Sequence, residues 1–76
     1  MKLTQLKAGQ CAQVKSFHHL SESVRKRLMV MGILPETSIR LVRRAPLGDP
    51  LQVEVRGVLL AVRETIASAI EVGDVK

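Results

Sequence analysis

Few side chains here can do chemistry, and their spacing limits what that chemistry is. Cys11, His18 and His19 supply the only thiol and imidazole groups in the chain. Such donors hold transition metals, and a site built on histidine typically combines two of them with a carboxylate, oriented by further hydrogen bonds. Adjacent histidines on a strand point to opposite faces and cannot share an ion, whereas in a loop they can. No Cys-x-x-Cys or His-x-x-x-His spacing occurs, and Glu22 is the only carboxylate close by in sequence. His18 and His19 are therefore read as exposed connector residues and Cys11 as a small, partly buried hydrophobe. No metal ligand is assigned.

Catalysis has less to draw on. Asp49 lies between Gly48 and Pro50, where a carboxylate accepts a backbone hydrogen and caps a turn. A general base needs a partner and a sheltered cleft, and the sequence supplies neither. The five glycines stand apart from one another, so no phosphate-cradling loop is present. The expectation is a protein with no catalytic residue and no cofactor.

The formal net charge of +5 attracts anionic partners and speeds encounter with them. Arg25, Lys26, Arg27, Arg40, Arg43 and Arg44 would charge a nucleic-acid groove. Small β-barrels, however, hold single strands by stacking bases on aromatic rings, and Phe17 is the only aromatic residue. A small basic nucleic-acid-binding barrel is a minor alternative, and no nucleic acid is expected as a partner.

These residues must be positioned by a single domain. A chain of 76 residues buries only ~60% of its unfolded surface, enough for one core and no deep cleft. One cysteine excludes an internal disulfide. There is no signal-peptide pattern at the start and no apolar run near ~18 residues, so a cytoplasmic protein without membrane insertion is expected.

Residues 3–10 read as a short helical turn closed by Gly9, and residues 12–17 alternate as a half-buried strand. Ser21 suits an N-cap, with Glu22 in the first turn. The main helix is placed at residues 21–31, opened by Ser21 and ending at Met31, with Val24, Leu28 and Met31 as its core-facing stripe. Gly32 suits the left-handed position after it, and Pro35 blocks continuation. Residues 37–44 form the next strand, with Ile39 and Leu41 inward. Residues 51–55 and 58–62 pair as a hairpin around Arg56-Gly57, setting Val55 opposite Val58, Val53 opposite Leu60 and Leu51 opposite Val62. Arginine is a poor first residue for a type I′ turn, so a bulged connection with Gly57 left-handed is the alternative. A helical turn at 65–69 and a strand at 70–72 complete a mainly β fold. A small five-stranded barrel, closed so that no edge is exposed, is expected, with a partly open α+β sandwich as the alternative.

Three segments carry a family resemblance. Arg25-Lys26-Arg27-Leu28-Met29-Val30-Met31-Gly32-Ile33-Leu34-Pro35, then Arg43-Arg44-Ala45-Pro46-Leu47-Gly48-Asp49-Pro50, then Val55-Arg56-Gly57 resemble the FeoA family over about residues 3–72. The resemblance implies an SH3-like barrel associated with bacterial ferrous-iron transport. It also implies a partner, the FeoB-type transporter, met from the cytoplasmic side and modulated by contact. Two departures stand out. The family usually has Gly where Glu36 stands, which would strain Glu36 by ~1 kcal/mol or more if positive φ is needed. Leu59 replaces a residue that is usually polar.

On the helix, Met29 falls opposite the core stripe, beside Arg25 and Lys26, as a flexible apolar contact with a charged rim. The expected interface takes Arg25 and Lys26 for steering and Met29, Ile33, Leu34 and Leu47 for apolar contact. Gly32, Pro35, Pro46, Gly48, Asp49 and Pro50 set the loop shapes, so that presenting Leu47 costs little ordering entropy. Weak self-association stays open. The other reading of the same fold is the SH3-like domain of a metal-dependent transcriptional regulator, although no helix-turn-helix segment accompanies it.

Overall fold

Alternating branched and polar residues build the strands. The computed structural model describes residues 1–76 and places β1 at Cys11–Phe17, β2 at Ser38–Arg44, β3 at Leu51–Val55, β4 at Val58–Val62 and β5 at Ile70–Gly73. Helix α1 spans Glu22–Val30, the single turn α2 spans Glu64–Ala67, and a 3-10 turn, Leu3–Gln5, precedes β1. All pairings are antiparallel in one sheet ordered β4-β3-β2-β1-β5. The expected mainly β architecture with one main helix is what the chain adopts.

Register shifts between Val14 and Ser16 in β1, and between Leu41 and Arg43 in β2, mark bulges. Bulges bend a strand and increase its twist. The bent sheet gathers fifteen buried apolar residues from every strand, both helices and the 3-10 turn, with no buried polar side chain among them. Two expectations change here. The first helical turn ends at Gln5, and Gly9 belongs to a separate turn closed by the Gln10 N–H donating to the Lys7 carbonyl at 2.9 Å. The barrel is also not closed by hydrogen bonds, because β4 and β5 stand at opposite ends of the strand order.

The β3–β4 hairpin has the expected register throughout. Its turn is type I′: Arg56 takes φ 53° and Gly57 φ 81°, both left-handed, which matches the twist of the strands. The bulged alternative is not used. Burial fades toward this tip, so Val58 shares the core-side face yet remains exposed.

Helix α1 is fixed at both ends. The Ser21 Oγ accepts from the Val24 N–H at 3.3 Å. At the other end Gly32, at φ 90°, donates to the Met29 carbonyl at 3.0 Å, and the Ile33 N–H donates to the Leu28 carbonyl at 2.8 Å. This pair of bonds is the Schellman motif, whose apolar residue beyond the glycine packs against the last helical turn. Leu28 alone of the helix is fully buried. Val24 is half-buried and Met31 lies exposed at the rim, so the predicted stripe is narrower than its spacing suggests.

After α1 the Thr37 N–H donates to the Leu34 carbonyl at 3.1 Å, with Pro35 and Glu36 between them. Glu36 has φ 68°, the position of a type II turn that glycine normally fills. The strain anticipated for Glu36, ~1 kcal/mol or more, is therefore present. Its N–H is used, donating to the Val14 carbonyl at 2.7 Å.

Candidate docking surfaces

Anchoring α1 through Leu28 turns the next two side chains outward. Met29 is 53% and Val30 88% exposed. Met29 shares one depression with Glu22, Arg25 and Lys26, and Val30 shares a second, of about 320 Å³, with Lys26, Arg27 and Met31. Lys26 stands 3.7 Å from Glu22 one turn earlier, a pair worth little at this exposure. The result is an apolar strip with a basic rim.

Of the other residues expected to meet a partner, Ile33 does not belong. It is fully buried, because the Schellman motif packs it inward beside Leu28. Leu34 is half-buried, and its N–H donates to the Gly32 carbonyl at 3.1 Å. Leu47 is 97% exposed at the tip of the loop between β2 and β3. The Gly48 N–H donates to the Ala45 carbonyl at 2.7 Å, and the Ala45 N–H to the Pro50 carbonyl at 3.0 Å; Pro46 and Pro50 stiffen the same loop, in which Asp49-Pro50 is cis. Asp49 caps a different element from the one expected. Its Oδ1 accepts from the Glu64 N–H at 2.9 Å, the first residue of α2, whose preceding Arg63 offers no side-chain cap. No hydrogen bond, ion pair or shared cavity joins this loop to α1.

A third feature escaped the sequence reading. Between α1 and the end of β4 lies a cavity of about 140 Å³ lined by Val24, Arg27, Leu28, Met31, Ala61, Val62, Arg63 and Ile66. No local sequence pattern marks it, because its walls come from α1, the end of β4 and α2.

The nitrogen and sulfur groups stay scattered. The His18 and His19 ring centroids are 6.5 Å apart, and no three His, Cys, Asp or Glu side chains cluster closely enough to hold an ion. His18 instead faces Glu71, Nε2 to Oε1 3.6 Å, and Ser16 Oγ at 3.3 Å. Glu71 also accepts from the N-terminal amine at 2.6 Å. That hydrogen bond holds its carboxyl below the ordinary value, with the charges of the amine, His18 and Lys2 adding to it against desolvation. Lys15 is raised above its ordinary value, first by its hydrogen bond to Asp74, 2.9 Å away.

Three of the arginines that would charge a nucleic-acid groove are engaged by the protein itself. Arg40 lies 3.5 Å from Glu54, Arg43 Nε donates to Gln52 at 2.9 Å, and Arg44 donates to the Thr4 and Leu6 carbonyls.

A family model described as the FeoA domain matches residues 1–73. The solution structure of an FeoA protein from Chlorobium tepidum is 42% identical, with a TM-score of 0.90 over 96% of this chain and 69% of that one. An FeoA of Stenotrophomonas maltophilia, solved as a zinc complex and described as a prokaryotic SH3 domain protein, is 27% identical, with a TM-score of 0.85 over 100% of this chain and 95% of that one. The IdeR of T. acidophilum matches at 22% identity and a TM-score of 0.84, over 96% of this chain but 33% of that one. This last likeness shows the fold alone, which is SH3-like.

Proposed function

The chain belongs to the FeoA family, implicated in ferrous iron transport, and we propose that it is a cytoplasmic, non-enzymatic module that docks on an FeoB-type transporter and modulates it. The outward strip of α1 carries this reading: Met29 and Val30 exposed side by side, with Arg25 and Lys26 at the rim. Arg25 and Lys26 steer the approach, and Met29 with Val30 supplies the apolar contact. Leu47, on its stiffened loop, adds a second contact at low ordering cost. Binding acts by preferring one conformation of the transporter, and the shift it produces equals its difference in affinity between states. No helix of the chain is long and apolar enough to cross a membrane.

Amide NMR of the labelled chain, titrated with the solubilised transporter, tests this. Shifts are expected at Arg25, Lys26, Met29 and Val30. Met29→Asp is expected to weaken binding at least tenfold while leaving stability within about 0.5 kcal/mol, as for exposed sites generally. Unchanged affinity in that variant removes α1 from the interface, and no shifts with or without guanine nucleotide remove direct docking.

A further inference from the structure

β4 is an edge strand, and none of its backbone hydrogen bonds goes anywhere but to β3. A two-residue turn bonds its flanking pair, and bonded and non-bonded pairs alternate from there. Val58, Leu60 and Val62 therefore spend their backbone groups on β3. Leu59 and Ala61 aim their N–H and C=O groups outward, unpaired. Natural edges are blunted by charges, proline, bulges or brevity. Val58–Val62 has no charge and no proline, and its pairing with β3 runs without a bulge.

The cavity between α1 and β4 adds a second, independent observation. Ala61 and Val62 both line it, although neighbouring strand residues point to opposite faces. It therefore reaches β4 at its C-terminal end, beside the turn into α2, where Ala61, whose backbone groups are free, is part of its lining. Its wall is Val24, Leu28, Met31, Val62 and Ile66, and at about 140 Å³ it has room for one group roughly the size of benzene. The surrounding charge is net positive. Arg56 and Arg63 flank the two ends of β4, and Arg27 lines the cavity together with Arg63. Of the carboxylates nearby, Glu54 is held by Arg40 at 3.5 Å, and Glu64 begins α2.

We propose that the free edge of β4 accepts an extended acidic peptide segment as an added strand, seating one of its aliphatic side chains in the cavity between α1 and β4. Main-chain bonds from Leu59 and Ala61 supply affinity, and the cavity and the arginines supply specificity, as in β-strand addition generally. This site adjoins the Val30 depression through Arg27 and Met31 but uses neither Met29 nor Val30, so it is tested separately from docking through that strip.

An acetylated and amidated octapeptide of alternating Glu and Val, titrated into the labelled protein, is the probe. The Leu59 and Ala61 amides are expected to move downfield and to exchange at least tenfold more slowly. A Lys/Val peptide is expected to bind at least tenfold more weakly, and a Glu/Val peptide N-methylated at alternate residues not at all. Ala61→Pro removes only an outward N–H, a change edge strands tolerate, and should abolish binding with the rest of the spectrum preserved. Undisturbed Leu59 and Ala61 amides at millimolar peptide overturn the proposal, as do shifts confined to Met29 and Val30. Equal binding of the Lys/Val peptide overturns the acidic assignment. Protection of the same amides that rises with protein concentration, without peptide, assigns the edge to a second copy instead.

Discussion

The two edges of the sheet are treated in opposite ways. At β5 the Val72 N–H donates to the Met1 carbonyl at 2.7 Å, Lys2 bridges Glu71, and the amine of Met1 pairs with the Glu71 carboxylate. Leu3 and Leu6 follow into the core, so the N-terminal segment straps that edge shut. At β4 nothing comparable happens: the strand is bare, uncharged and more exposed toward its tip. A handful of residues suffices to cover an edge of this sheet, so the openness of β4 is a local property of the chain and not a consequence of the fold. An unprotected edge is a template for pairing, and that difference is what directs a partner to β4.

The comparison breaks most visibly if the strap is loosened. Leu3 is fully buried, and Leu3→Ala should cost about 2–5 kcal/mol by lost transfer energy and residual cavity. In a domain this small that is most of the available stability, and a melting temperature lowered by at least about 10 °C is expected. Hydrogen exchange discriminates further. The Val72 amide should lose protection first, while Leu59 and Ala61, already open, should not change. Uniform loss across all strands would mean that the strap is no more than another part of the core.

Smaller and opposite in sign are the two left-handed turns, one on each side. Glu36→Gly removes strain at φ 68° but frees the unfolded chain and loses the 3.6 Å pair with Lys15, so a net gain of roughly 0.5–1 kcal/mol is expected. Arg56→Asn in the type I′ turn should gain less, about 0.5 kcal/mol, since asparagine visits the left-handed region more readily. Denaturant midpoints of the two variants check this. A loss at Glu36 would mean that its contacts outweigh the backbone strain.

What the sequence made legible was whatever local period and turn chemistry control. The hairpin register followed from alternation around a two-residue gap, and the ends of α1 from Ser21 and Gly32. Glu36 stood out only through the resemblance, because the family usually has glycine there. Ile33 was misplaced because the segment after α1 was read as surface, although a glycine-capped helix calls for an apolar residue just beyond the cap. The bare edge was hidden by the assumption that five strands close. Contacts between distant residues left no local trace. Glu71 meets His18 and the N-terminal amine only through the fold, and Asp49 reaches Glu64 across the loop it shapes.

The finest distinction between the edges is electrostatic, and pH separates them. Glu71 has its folded-state carboxyl lowered from the ordinary 4.5, chiefly by the hydrogen bond from the amine. A lowered carboxyl contributes stability that is present above the unfolded value and is lost as pH falls through the folded one. Lys15, raised from 10.5 mainly by Asp74, contributes in the opposite sense. Its share is complete below 10.5 and disappears as pH rises through the higher folded value. Both groups are half-buried and still reach solvent, so each effect is small and is screened by salt. They lie on β5 and its neighbour β1, whereas β4 has no titratable side chain. Acidification below about 4.5 should therefore raise the exchange rate of the Val72 amide relative to the β3–β4 amides, once intrinsic rates are divided out. Glu71→Gln should flatten that dependence, and 1 M salt should reduce it. If Val72 and the hairpin amides respond alike, the charges do not hold the closed edge, and the apolar insertion of Leu3 and Leu6 alone distinguishes it from the open one.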